Sequence, residues 1–104
     1  MSQQTMQLLK TCIPTFTVLA DENRHKILEL LFDNGKMNVG EITERLHLSR
    51  PAVSHHLKIM LQAGIVGVEQ VSKERFYFIT MVEAVTQLQN LVTELVQHCP
   101  ELSK

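Results

Sequence analysis

The sequence predicts a mainly α domain carrying a small β-hairpin, in the order α-α-α-α-β-β-α, and three observations predict it. Apolar residues recur at helical spacing over most of the 104 positions, as expected of helices with one buried face. Between 39 and 63 that spacing is cut by a polar turn into two short stripes. After Gly64 the apolar period changes from helical to alternating, the pattern of strands lying on a core.

Taken in order, the first helix is expected over about 4–18, where Leu8, Leu9, Cys12, Ile13, Phe16 and Leu19 share helical spacing. Pro14 should end or bend it, because a proline ring clashes with the preceding turn. This stretch is more apolar than a small domain needs. Asp21 or its neighbour opens a second helix, with Glu22 near the positive end and Ile27, Leu28, Leu30, Leu31 and Phe32 directed inward, until Asn34-Gly35 stops it. Arg24, His25 and Lys26 then fall on its outer side, as a solvated face or, alternatively, as phosphate contacts. Lys36 to Asn38 reads as a short connector.

Two brief helices follow over about 39–63, with Ile42, Leu46, Leu48, Val53, Leu57, Met60 and Leu61 as their apolar stripes and His47-Leu48-Ser49 as the break. Ser49 can cap the second helix through its hydroxyl, and Pro51 falls in the first turn, where no intrahelical N–H is lost. The outer side of that helix carries the donors Ser49, Arg50, Ser54, His55 and Lys58 beside the small Pro51 and Ala52, with no carboxylate between Arg45 and Gln62. Such an acid-free face near a helix N-terminus suits the major groove of double-stranded DNA. The competing reading is a helical hairpin with a merely polar exterior. Arg50 matches guanine through two donors, Ser54 and His55 are placed to join it, and Ser49 and Lys58 suit phosphate. His55 and His56 point about 100° apart, so His56 should pack, or lie against the wing or a partner subunit. His47 is expected at the surface.

Residues of about 65–79 form the hairpin: Val66, Val68 and Val71, a polar tip at Ser72-Lys73-Glu74, then Arg75 to Ile79. Phe76 and Phe78 share one face and Arg75, Tyr77 and Ile79 the other, and one aromatic set covers the core. A hairpin directly after a DNA-reading helix is a wing, so the fold expected is a winged helix-turn-helix. Lys73 and Arg75 can reach the DNA backbone or minor groove, with surface solubility as the bland explanation. A last apolar stripe over 81–99 extends about 28 Å at 1.5 Å per residue. Because it follows a complete domain, it pairs most simply with the first helix as the interface of a homodimer, an ordinary core helix being the alternative. Two reading heads about 34 Å apart would then select an inverted-repeat operator.

LADENRHKILELL (19–31), LSRPAVSHHLKIM (48–60), AGIV (63–66) and ERFYFI (74–79), in this order and spacing, resemble the ArsR/SmtB family of winged helix-turn-helix repressors. The resemblance implies a homodimeric bacterial transcription factor, often released from DNA by a metal or another inducer. The chain departs from both common metal sites of that family. Met37 to Glu41 contains no Cys-x-Cys element, and of the C-terminal ligand set only Glu83, His98 and Cys99 are candidates. No metal or other cofactor is therefore expected, and the inducer stays unspecified. Cys12 and Cys99 would form a redox pair only if the terminal helices bring them together.

Charge is distributed as a DNA binder requires. Residues 45–75 hold five Lys/Arg against two acids, a net of +3, and the remainder five against nine, a net of −4, giving −1 in total. With 44% hydrophobic and 20% charged residues, composition is that of one ordinary globular domain. Polar residues precede any apolar stretch at the N-terminus and no apolar run is long enough to span a bilayer, so a cytoplasmic location is expected. Neither a Gly-rich phosphate loop nor a nucleophile beside a His/acid pair is found, which argues against an enzyme. A helical protein-interaction module is the rival class.

Overall fold

The computed structural model describes residues 3–99 and 101. Its elements are α1 (Gln3–Leu19), α2 (Glu22–Asn34), β1 (Met37–Asn38), α3 (Val39–Glu44), α4 (Arg50–Gln62), β2 (Val66–Val71), β3 (Glu74–Ile79) and α5 (Val82–His98). Local chemistry accounts for most of the boundaries. The Asp21 carboxylate accepts the Asn23 amide at 2.8 Å to start α2, and Gly35, at φ 79°, sends its N–H back to the Leu31 carbonyl to end it. Asn38 and Glu41 form a reciprocal capping box on α3, at 2.8 and 3.0 Å. Ser49 Oγ accepts the Ala52 amide to cap α4, with Pro51 in the first turn.

The core joins these elements. Ile27 and Leu31 of α2, Ile42 of α3, and Val53, Leu57 and Met60 of α4 are buried with Ile65, Val66 and Tyr77. Full burial of an aliphatic side chain of this kind contributes about 1.5–3 kcal/mol. Tyr77 is thus the aromatic that covers the core. The Phe78 ring lies on the other face against Gly67, where an added Cβ would stand 2.9 Å from it.

Four expectations are corrected. The supposed connector contains a strand: β1 pairs antiparallel with β3, Met37 opposite Tyr77 and Asn38 opposite Phe76, giving a sheet of order β1-β3-β2. Two residues are too few to show a period, and only the partner strand makes them a strand. Pro14 does not end α1, which continues from Gln3 to Leu19. Pro14 and Lys10, whose carbonyl loses its donor, are both exposed, so water can take the missing bond while packing on α5 holds the helix. Phe32 faces solvent at 70% exposure, because the buried stripe of α2 is narrow and is filled by Ile27, Leu28 and Leu31. Arg24 is half-buried rather than solvated, bonded to the Val18 carbonyl and to His56.

α5 packs mainly on α1, and the molecule is elongated, measuring 51 Å against 26 and 22 Å in the other directions. The radius of gyration, 16.6 Å, exceeds the roughly 13 Å of a compact chain this long. Met6, Ile13 and Phe16 of α1, with Val82, Val85 and Val92 of α5, remain exposed.

Candidate nucleic-acid interface

The face of α4 that opposes its buried stripe is set by helix geometry. At about 100° per residue, Val53, Leu57 and Met60 cluster on one side and Pro51, His55 and Lys58 on the opposite one, with Arg50 and Ser54 turned toward the wing. All five of the latter are exposed. Arg50, Ser54 and Lys58 form one wall of an open groove of about 800 Å³ whose other wall carries Lys73 and Arg75. Five residues expected to meet DNA are therefore brought together by α4 and the hairpin. Pro51 and His55 stand on the outermost ridge beside this groove, and Ser49 is exposed at the N-terminus of α4.

Positions on the wing follow from its register. Val71 opposes Glu74, so the turn is the two residues Ser72 and Lys73, with Ser72 in the left-handed region at φ 57°. Lys73 is thereby carried at the tip. The Arg75 guanidinium lies 5.9 Å from the centre of the buried Tyr77 ring, which anchors a flexible cation on a rigid base. Four cations in the groove outweigh one carboxylate, Glu74.

Glu74, Asn38 and Gly40 also line this groove, a role the sequence did not suggest. The Asn38 amide Nδ2 reaches Glu74 Oε2 at 3.5 Å, tying the α3 cap to the wing base. A Cβ on Gly40 would stand 3.5 Å from an Arg50 guanidinium nitrogen, so the start of α3 borders that guanidinium. The cap was legible in the Asn-x-x-Glu spacing. Its proximity to Glu74 depends on β1 pairing with β3 and has no local signal.

His56 is half-buried, and its Nδ1 accepts Arg24 Nε at 3.2 Å. His47 is exposed. The candidate metal ligands are dispersed within the chain: Glu83 lies in the first turn of α5 and His98 in the last, about 22 Å apart at 1.5 Å per residue. His98 Nε2 pairs with Glu94 at 3.2 Å, and no group of three or more His, Cys, Asp or Glu residues is placed to hold a metal among the described residues. Cys12 and Cys99 are both free thiols. Cys12 is buried in α1 and Cys99 follows the last turn of α5, where it is half-buried.

No helix among the described residues is long and apolar enough to cross a membrane. Residues 21–68 match the family model of the bacterial regulatory proteins of the arsR family. An uncharacterized HTH-type transcriptional regulator of Methanocaldococcus jannaschii is 36% identical over 90 residues, covering 86% of this chain and all of that protein. The arsenical resistance operon repressor of Bacillus subtilis is 31% identical over 77 residues, covering 74% of this chain and 73% of the repressor. Among solved structures, reduced HlyU from Vibrio cholerae superposes with a TM-score of 0.72 at 26% identity, covering 94% of this chain and 98% of HlyU. The helical body, the three-stranded antiparallel sheet and these likenesses agree: the chain belongs to the ArsR family and is a winged helix-turn-helix, DNA-binding transcriptional regulator, not an enzyme.

Proposed function

We propose that the protein is a cytoplasmic repressor that binds an inverted-repeat operator as a homodimer, with α4 in the major groove and the hairpin on the flanking backbone. The observation that carries this reading is the shared cationic groove, in which Arg50, Ser54 and Lys58 of α4 face Lys73 and Arg75 of the wing. Arg50 reads guanine through its two-donor fork, and Ser54 and His55 contact neighbouring base edges. Ser49, Lys58, Lys73 and Arg75 engage phosphates, or for the wing pair the minor groove, and Pro51 keeps the leading edge of α4 slim enough to approach the bases.

The dimer is supported by the outward apolar residues of α1 and α5 and by the elongated shape of the single subunit. Scattered single apolar residues are ordinary on a surface, whereas contiguous helical stripes are the mark of an interface. Repression is supported by the likeness to the arsenical resistance operon repressor. Selection from random duplexes with purified protein, together with sedimentation velocity, tests the whole reading. An enriched inverted repeat with half-sites about 10 base pairs apart, bound by a dimer, is expected. Absence of any enriched sequence, or a monomer at micromolar concentration, would overturn it.

A further inference from the structure

Arg24 occupies a junction of three helices. Its Nη1 donates to the Val18 carbonyl in the last turn of α1 at 3.1 Å, and its Nε donates to His56 Nδ1 in the middle of α4 at 3.2 Å. A planar guanidinium offers these two donors in a fixed relation, so the end of α1 and one face of α4 are held at a defined separation. His55 and Ser54, on the DNA-facing side of the same helix, directly precede His56. With a helix radius of about 5–6 Å, turning α4 by 10° about its axis displaces an outward side chain by about 1 Å, enough to lose a base contact.

We propose that Arg24 and His56 are a positioning pair that sets the rotation of α4, so that the packing of the terminal helices is passed to the base-reading side chains through one guanidinium. The inference rests on the reading of α4 as the DNA-contacting helix. It also makes the link sensitive to protons. A proton on Nδ1 removes the lone pair that receives Arg24 and sets two cations side by side. The charged and titratable groups facing His56 are Arg24 and Asp21 from α2 and, on its own helix, His55, with ring centres 6.2 Å apart. The Asp21 carboxylate interacts electrostatically with both members of the pair. Desolvation raises the pKa of that carboxylate, but the Asn23 and Arg24 amides and the charges of His56 and Arg24 outweigh it and hold the group below its ordinary range.

The test compares His56→Leu, His56→Asn and Arg24→Lys with the wild type. Asparagine keeps an acceptor close to the place of Nδ1, leucine removes it, and lysine keeps the charge without the fork. Each is measured for thermal unfolding, for dimer state, and for affinity to a wild-type-selected duplex and to a scrambled duplex from pH 8 to 5.5. His56→Leu and Arg24→Lys should remain folded dimers that lose about tenfold on the selected duplex and less than twofold on the scrambled one. His56→Asn should recover to within about threefold. The ratio of wild-type to His56→Asn affinity should fall between pH 8 and pH 5.5, because only the wild type carries an imidazole at this position, which separates His56 from the outward-facing His55 present in both proteins. Wild-type affinity in a folded His56→Leu protein, a folded His56→Asn no better than His56→Leu, or a ratio flat with pH would each overturn the pairing. A wild-type protein that selects no sequence overturns the DNA-reading role of α4 itself, a different result from any of these.

Discussion

Substituting Lys73 by alanine is the perturbation whose size the geometry sets most directly. Lys73 is exposed in the two-residue turn of the wing, across the groove from Lys58 and two residues before Arg75. In the proposed complex, with Arg50 on a base, Lys58, Lys73 and Arg75 of the groove would be three phosphate-facing cations in each protomer, and six in a dimer. Each neutralised phosphate releases about 0.9 of a counterion, so log affinity against log salt should have a slope of about −5.4. Raising salt from 50 to 200 mM then lowers affinity by about three decades. Because the substitution acts in both protomers, the slope should become about −3.6 and the same loss about two decades. Fluorescence anisotropy at five salt concentrations, on the selected and on a scrambled duplex, reads both slopes. The change should be equal on the two, since phosphates carry no sequence information. An unchanged slope refutes the placement of the wing tip on the backbone. A change of only about 0.9 shows a single wing engaged and refutes the two-fold arrangement.

Arg50→Ala should lose about 1–3 kcal/mol on the selected duplex and relax base preference at one position of each half-site in a repeated selection; equal losses on both duplexes would remove its base-reading role. Val92→Glu places a carboxylate on the outward stripe of α5, where Val92 is 57% exposed; sedimentation should show a monomer with unchanged thermal unfolding, and an intact dimer would place the interface elsewhere. Ser72→Gly relieves a left-handed residue in the hairpin turn and should raise stability in urea by about 0.5–1 kcal/mol. Asp21 has a lowered pKa, so its contribution is complete above the ordinary aspartate value, about 3.9, and declines as pH falls through the folded-state value below it. The stability gap between wild type and Asp21→Ala, measured by urea unfolding, should therefore be widest at neutral pH and narrow progressively as pH falls below the ordinary aspartate range.

How far the site could be read from the chain differs by residue. The exposure of Arg50, Ser54 and Lys58 was legible because a capped helix with a known buried stripe leaves its remaining faces to solvent. Lys73 and Arg75 were legible as a wing tip, because β-branched and aromatic runs around a polar turn specify a hairpin. Glu74 was read only as part of the turn, and its reach to Asn38, 36 residues away, follows from the pairing of β1 with β3. Arg24 carries the clearest misreading. Helical spacing assigned it to the solvated side of α2, yet that side faces α4 and the end of α1 in the assembled domain.

Helix starts, stops and buried stripes are written locally, since a cap such as Asp21, Asn38 or Ser49 satisfies amides two or three residues away and a stripe repeats within a turn. Those short-range rules were sufficient for the order of helices, the hairpin and the polar face of α4. The third strand, the continuity of α1 through Pro14, the exposure of Phe32 and the bridging role of Arg24 were decided by folding. Each depends on what another element places beside the residue: a partner strand, a supporting α5, a core already full, or a carbonyl and an imidazole within hydrogen-bond reach. Such long-range juxtapositions leave no period in the chain, because the groups that create them are separated by tens of residues.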